Sequence, residues 1–205
     1  MALPEVASRE EWLRARVDKN YAFEGSQGQV SLADMFGDCS QLVIQHIMFG
    51  PDWDSACPRC PQVTSELTDS LTERLRSRDT TYAMVCRAPY AKIDAYRAGR
   101  NLTVPWYSSY GSDFNYDFQV TLDGAAGQRN YDYQSVSELP ADDSFELPGV
   151  SCFLRTDRAI FHTYSAYVRG PDHVDLGCLY LDMTASGRPE EWELPRGRAP
   201  RIYAT

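Results

Sequence analysis

Apolar residues recur along the chain in two rhythms. From Gln41 to Phe49 the run Q-L-V-I-Q-H-I-M-F is nearly continuous and rich in branched side chains, the pattern of a strand buried on both faces. Beyond it, Val63, Leu67, Leu71 and Leu75 fall every fourth residue, one stripe of an amphipathic helix running to about Arg78. Thr80 to Cys86 reads as a second buried strand. Pro89 opens another helix to about Gly99, with Ile93 and Tyr96 inward, and Thr103 to Ser109 forms a third strand. Strand, helix, strand, helix, strand in that order implies a largely parallel sheet covered on both faces.

Shorter signals flank this centre. Ser8 and Glu11 make a capping box for a short helix to about Val17, carrying Trp12 and Leu13. Tyr21 to Gly25 alternates like a strand and turns at Gly25–Gly28 into Gln29–Leu32. Ser31 to Phe36 predicts one helical turn closed by Gly37-Asp38. After Trp106 the character changes: Trp106, Tyr107, Tyr110, Phe114, Tyr116, Phe118, Tyr131 and Tyr133 crowd a segment broken by Gly111, Gly124 and Gly127. Asp113 to Phe118 reads as a short helix, and the rest as a loop-rich insertion whose aromatic wall faces either core or a ligand pocket. Asp142 to Glu146 reads as an acidic connector. Gly149–Arg155 and Ala159–Ser165 are two antiparallel strands, Asp172–Thr184 a closing helix, and Gly187–Thr205 an irregular tail. One domain over residues 1–205 is expected, with 1–40 as an N-terminal extension.

The chemistry concentrates in Cys57-Pro58-Arg59-Cys60. This Cys-x-x-Cys stands where the core strand gives way to the helix, and that context gives the motif its weight. At a helix start, unpaired N–H groups and the positive end of the dipole stabilise a thiolate on Cys57. Pro58 suits a first turn. Cys60, about one turn on, is within reach of a disulfide with Cys57. Arg59 adds a cation while Asp52 and Asp54 oppose it. Structural zinc is the competing reading, but it needs four ligands, and no second paired motif exists. Cys39, Cys86, Cys152 and Cys178 stand alone, Cys86 as a core residue, and His46, His162 and His173 are isolated in sequence.

Composition adds limits rather than a function. The chain has 205 residues, 43% hydrophobic and 24% charged, with a net charge of −9. That acidity argues against nucleic acid and anionic membranes as partners. No apolar run approaches the ~20 residues that cross a bilayer, and the polar N-terminus is no secretory signal. A cytoplasmic setting is expected, where a paired Cys-x-x-Cys is catalytic or transient rather than a scaffold disulfide.

Taken together, Phe23-Glu24-Gly25, Val30 to Phe36, His46-Ile47-Met48-Phe49-Gly50-Pro51-Asp52-Trp53 leading to Cys57-Pro58-Arg59-Cys60, Arg87-Ala88-Pro89, Gly111 to Phe118 and Phe161 to Ser165 carry a resemblance. From Leu3 to about Met183 the chain resembles the bacterial thioredoxin-like proteins grouped as "domain of unknown function 899". That resemblance implies an α/β thioredoxin-like fold, a central mixed sheet flanked by helices, and dithiol–disulfide activity. Two departures stand out. The helical segment after Trp12-Leu13 is shortened. Thioredoxins also place a cis-proline just before the fourth strand, where Val150 is expected to fall here.

The leading expectation is a thiol–disulfide oxidoreductase, with Cys57 attacking and Cys60 resolving. Its substrate is a disulfide-containing protein or small thiol compound, with no cofactor and no metal, and a homodimer is possible. Trp53, Arg59, Asp113 and Tyr116 are the candidate substrate-binding residues, Trp53 serving either as the lip of the site or as a core anchor. Three alternatives remain. A thiol peroxidase would form a sulfenic acid on Cys57, although Asp54 stands where a peroxidatic site usually has Thr. A copper or zinc binder would combine Cys57 and Cys60 with a histidine such as His162. A biosynthetic enzyme would keep the scaffold for a small molecule.

Overall fold

A computed structural model describes residues 16–57, 68–98, 100, 102–127, 130–131, 134–135 and 144–167. Its centre is a seven-stranded sheet in the order β11-β10-β3-β4-β5-β1-β2. The strands are β1 (Ala22–Gly25), β2 (Gly28–Ser31), β3 (Gln41–His46), β4 (Thr80–Cys86), β5 (Trp106–Ser108), β10 (Gly149–Arg155) and β11 (Ile160–Tyr167). Strands β3, β4 and β5 are parallel. The β1–β2 hairpin and the β10–β11 hairpin add antiparallel strands on either side. The sheet is therefore mixed, with a parallel centre.

Side-chain alternation along β3 and β4 separates two cores. Leu42, Ile44, Ala83 and Val85 point to one face, where Phe23, Met35, Phe36, Phe114, Phe118 and Phe153 cover them. Ile47, Phe49, Met84 and Cys86 point to the other, under Ile93, Tyr96 and Trp106. Helix α1 (Asp69–Arg76) is capped by Thr68, whose hydroxyl accepts from the Leu71 N–H. Helix α2 (Tyr90–Arg97) supplies Ile93 and Tyr96, as its sequence pattern predicts. A single 3-10 turn at Asp34–Phe36 ends at Gly37, whose φ of 55° lies in the left-handed range. Cys86 is a buried core thiol, pushed up to about 12 first of all by burial.

Several expectations need correction. Thr68 is extended where it caps α1, so no single helix runs from Cys57 to Arg78; Leu71 stays exposed and α1 buries no residue. The expected helix at the N-terminus does not reach Val17. Arg16 bridges Phe161 and the Val17 N–H donates to the Ile160 carbonyl, both along β11. Residues 142–146 are more than a connector. Strand β9 (Ser144–Glu146) pairs with β6 (Thr121–Asp123), and Glu146 is buried. Two short strands, β7 (Asn130–Tyr131) and β8 (Gln134–Ser135), also pair within the insertion. The capping box at Ser8, the closing helix at Asp172–Thr184 and the tail lie outside the described residues. Among those described, no helix is long and apolar enough to cross a membrane.

Two histidines are built into the phenylalanine-lined face. His46, the last residue of β3, stacks on Phe114 and Phe118 and meets Ser151 Oγ through Nε2 at 2.9 Å. Ser151 Oγ contacts Ser165 Oγ at 2.9 Å, and His162 Nε2 lies 2.7 Å from Ser165 Oγ and 3.0 Å from the Tyr164 carbonyl. A carbonyl only accepts, so Nε2 of His162 carries a hydrogen. Burial holds His46 far below the ordinary imidazole range, at about 3, because the protonated ring would lack water. The unfolded chain then binds a proton near pH 6.5 that the folded chain refuses, so stability falls as pH drops below 6.5. Between pH 6.5 and 5, the unfolding free energy of the native protein should fall more steeply than that of His46→Gln. The difference approaches one proton, about 1.4 kcal/mol per pH unit; urea titrations at several pH values measure it, and parallel curves would contradict it.

Candidate active site

Parallel strands deliver their carboxyl ends to one edge of the sheet, where α/β proteins commonly bind ligands. Beyond β3 the chain runs through Ile47–Gly50 into the loop that carries Cys57. The Ile47 N–H donates to the Val85 carbonyl and the Ala88 N–H to the Phe49 carbonyl, so the segment continues alongside the end of β4. The Cys57 N–H donates back to the Met48 carbonyl at 2.9 Å, folding the loop onto its own strand. Cys57 is half-buried and packs with Met48, Trp53 and Tyr90 against the Ile47–Phe49–Ala88 cluster. Arg59 and Cys60 lie outside the described residues.

Trp53 is the brace of this loop. Its N–H donates to the Gly50 carbonyl, and its indole lies directly over Gly50, where a Cβ would come within 2.9 Å of Nε1. Lys92, on α2, donates to the carbonyls of Pro51 at 2.7 Å and Trp53 at 3.0 Å. One cation thus ties two loop carbonyls to a helix, which makes Trp53 a packing anchor beside Cys57.

The antiparallel partner of β3 reaches the same edge. Gly149, the first residue of β10, is opposite His46, the last residue of β3. Pro148 therefore stands immediately before this strand. Val150 lies one residue inside the strand, opposite Gln45. The Leu147 N–H donates to the Val120 carbonyl, joining this turn to the insertion.

Under the same edge is a polar cluster of which the sequence singled out only Tyr116. Glu146 is almost fully buried and accepts from Thr121 Oγ1 at 2.7 Å, Asn115 Nδ2 at 3.3 Å and Arg87 Nη1 at 3.1 Å. Burial raises its carboxyl above the usual range, and the Arg87 charge and these donors oppose that shift. Ser109 Oγ contacts Asn115 Oδ1 and the Cys86 carbonyl, carrying the network to the end of β5. The Tyr116 ring covers the Arg87 guanidinium at 4.6 Å, and its hydroxyl donates to Asp123. The signal was present in Gly111–Phe118, but its polar partners sit 28 residues before and 31 after Asn115.

Asp113 goes elsewhere. It pairs at 2.7 Å with Lys19, which also pairs with Asp117, and the Tyr21 hydroxyl donates to Asp117. These contacts hold the N-terminal segment against α3 (Phe114–Asp117). His162 packs on Phe118 and Phe153, across the sheet from Cys57. Cys152 lies on β10, half-buried, with its thiol raised by burial. No group of three or more histidine, cysteine or acidic side chains suited to a metal occurs among the described residues.

A model of the family described as "Bacterial protein of unknown function (DUF899)" matches residues 2–201. The chain belongs to that family. No curated protein matches it significantly. Among solved structures, the DUF899 chain is similar to a Cys-to-Ser mutant of Xylella fastidiosa PrxQ, with 14% identity over 86% of this chain and 92% of that one, at a TM-score of 0.51. It is also similar to a Cys-to-Ser mutant of Xanthomonas campestris peroxiredoxin Q, with 14% identity over 82% and 92%, at 0.50. At such identity the likeness is one of fold, and the fold is thioredoxin-like.

The Gly50–Trp53 contact makes a specific stability prediction. A methyl group at Gly50 must displace the indole, so Gly50→Ala should cost about 1–3 kcal/mol, the usual range for overpacking. The same substitution in a Trp53→Ala background should cost much less. Thermal unfolding of the four proteins tests this cycle; equal costs in both backgrounds would show that the indole is not the obstacle.

Proposed function

We propose that this DUF899 protein is a thiol–disulfide oxidoreductase. The observation that carries the reading is the position of Cys57: folded onto the carboxyl end of the central parallel strand, half-exposed, with the Pro148 turn reaching the same edge. In this reaction the Cys57 thiolate attacks one sulfur of a substrate disulfide. A Cys57–substrate mixed disulfide forms, and the departing substrate thiolate takes up a proton. Cys60, as thiolate, then attacks the Cys57 sulfur, releasing the second substrate thiol and leaving a Cys57–Cys60 disulfide. Substrate gains two electrons and the protein loses them, so a dithiol reductant must restore the pair. Arg59 lies between the two cysteines in sequence, next to Cys60, and serves to favour their thiolates. Trp53 holds the loop in place, and Tyr116 acts through Arg87. A reducing compartment such as the cytoplasm fits a pair that must be recycled.

The experiment is residue-resolved alkylation followed by mass spectrometry, combined with a turnover assay. Oxidation should join Cys57 to Cys60, and dithiothreitol should open that bond. Reduction of a small disulfide at the expense of dithiothreitol should fall at least a hundredfold in Cys57→Ser. With dithiothreitol removed, Cys60→Ser should stop at a trapped mixed disulfide on Cys57. Undiminished turnover in Cys57→Ser would reject the reading. Because the two solved structures described above are a PrxQ and a peroxiredoxin Q, hydrogen peroxide is the parallel substrate. Peroxide consumption that depends on Cys57, without disulfide reduction, would replace the oxidoreductase with a peroxidase.

A further inference from the structure

Arg87 is the first residue after β4, and the next residue, Ala88, donates its N–H to Phe49 at the root of the Cys57 loop. A guanidinium offers five N–H donors in a rigid plane. Among the described residues one of them bonds, Nη1 to Glu146, while Nε is buried with no partner. Glu146 is itself held at Oε2 by Thr121 and Asn115, so it acts as a fixed stop that orients the guanidinium. The Tyr116 ring closes one flat side at 4.6 Å. About 14% of the side chain remains accessible. An arginine held in plane with unused donors, at the edge that carries a reactive sulfur, matches the fork geometry of a carboxylate.

We propose that Arg87 determines substrate specificity, binding a carboxylate of an anionic disulfide or thiol compound while its sulfur engages Cys57. The inference rests on the oxidoreductase reading and names the substrate class for it. It also gives the buried Arg87–Glu146 pair a use, since such a pair is weak as a source of stability.

Two disulfides of similar reactivity and opposite character test the proposal: 5,5′-dithiobis(2-nitrobenzoate), a dianion, and 4,4′-dithiodipyridine, which is neutral. In a Cys60→Ser background the mixed disulfide stays on Cys57, and mass spectrometry confirms the modified residue. The ratio of anionic to neutral rate constants should fall at least fivefold in Arg87→Met and by less in Arg87→Lys, with saturation by the dianion weakened. With Arg87 intact, 4-nitrobenzoate, which has the carboxylate but no disulfide, should slow the dianion and spare the neutral probe; this arm needs no substitution at Arg87. An unchanged ratio, or an equal fall for both probes without competition by 4-nitrobenzoate, would overturn the proposal. Failure of Cys57 to react with the neutral probe would instead overturn the oxidoreductase reading and this inference with it.

Discussion

Register between β3 and its two neighbours is the constraint on which the site depends. Gln41 to His46 lie opposite Thr80 to Val85 in parallel, and Gly149 to Leu154 run back along the other side. Ending all three strands at one level brings the Met48 carbonyl, Arg87 and Pro148 to a common edge without any long side chain having to reach. A slip of one residue in either pairing would exchange the faces of every side chain on that strand. His46 would then face the Ile47 side, and the phenylalanines that shield it could not follow. Tight complementarity on both faces is what makes the register unique.

Glu146 is the second fixed point. A buried carboxylate is tolerated only when its oxygens are occupied, and Thr121, Asn115 and Arg87 provide that from β6, α3 and the end of β4. Helix α3 and β6 also meet where the Tyr116 hydroxyl donates to Asp123. The insertion between β5 and β10 is therefore joined to the central sheet by hydrogen bonds at the active edge, while Phe114 and Phe118 anchor it in the core. The requirement to satisfy one buried charge sets the orientation of Arg87 and, through it, of Tyr116.

Much of the architecture was legible in the sequence because burial on both faces leaves a continuous apolar run. Strands β3 and β4 were read that way, and Cys86 was correctly placed in the core; the first hairpin was read from its alternation and its Gly25–Gly28 turn, and α2 from Pro89 with Ile93 and Tyr96 inward. What escaped has identifiable physical causes. Thr68 supplies a stronger start for α1 than the four-residue leucine stripe suggested, since a capping hydroxyl fixes a terminus that periodicity leaves open. Glu146 sits among Asp142, Asp143, Ser144 and Leu147, so its composition reads as a connector. Its burial depends on partners about 25 to 59 residues away, which no local pattern reports.

The two faces of the sheet also decide which chemistry can be combined. His46 and His162 belong to the phenylalanine face, linked through Ser151 and Ser165, with Nε2 of each engaged in that link. Cys57 packs on the opposite face with Met48 and Tyr90. A metal site joining Cys57 to His162 would have to cross the sheet, which two side chains of ordinary length cannot do between cores stacked on either side of it. Groups that assist Cys57 must therefore come from the edge itself: the cysteine loop, the residues after β4 and the turn at Pro148. Arg87 is the cation that the described part of this edge supplies from the parallel strands, whereas Lys92 is turned to the carbonyls of Pro51 and Trp53.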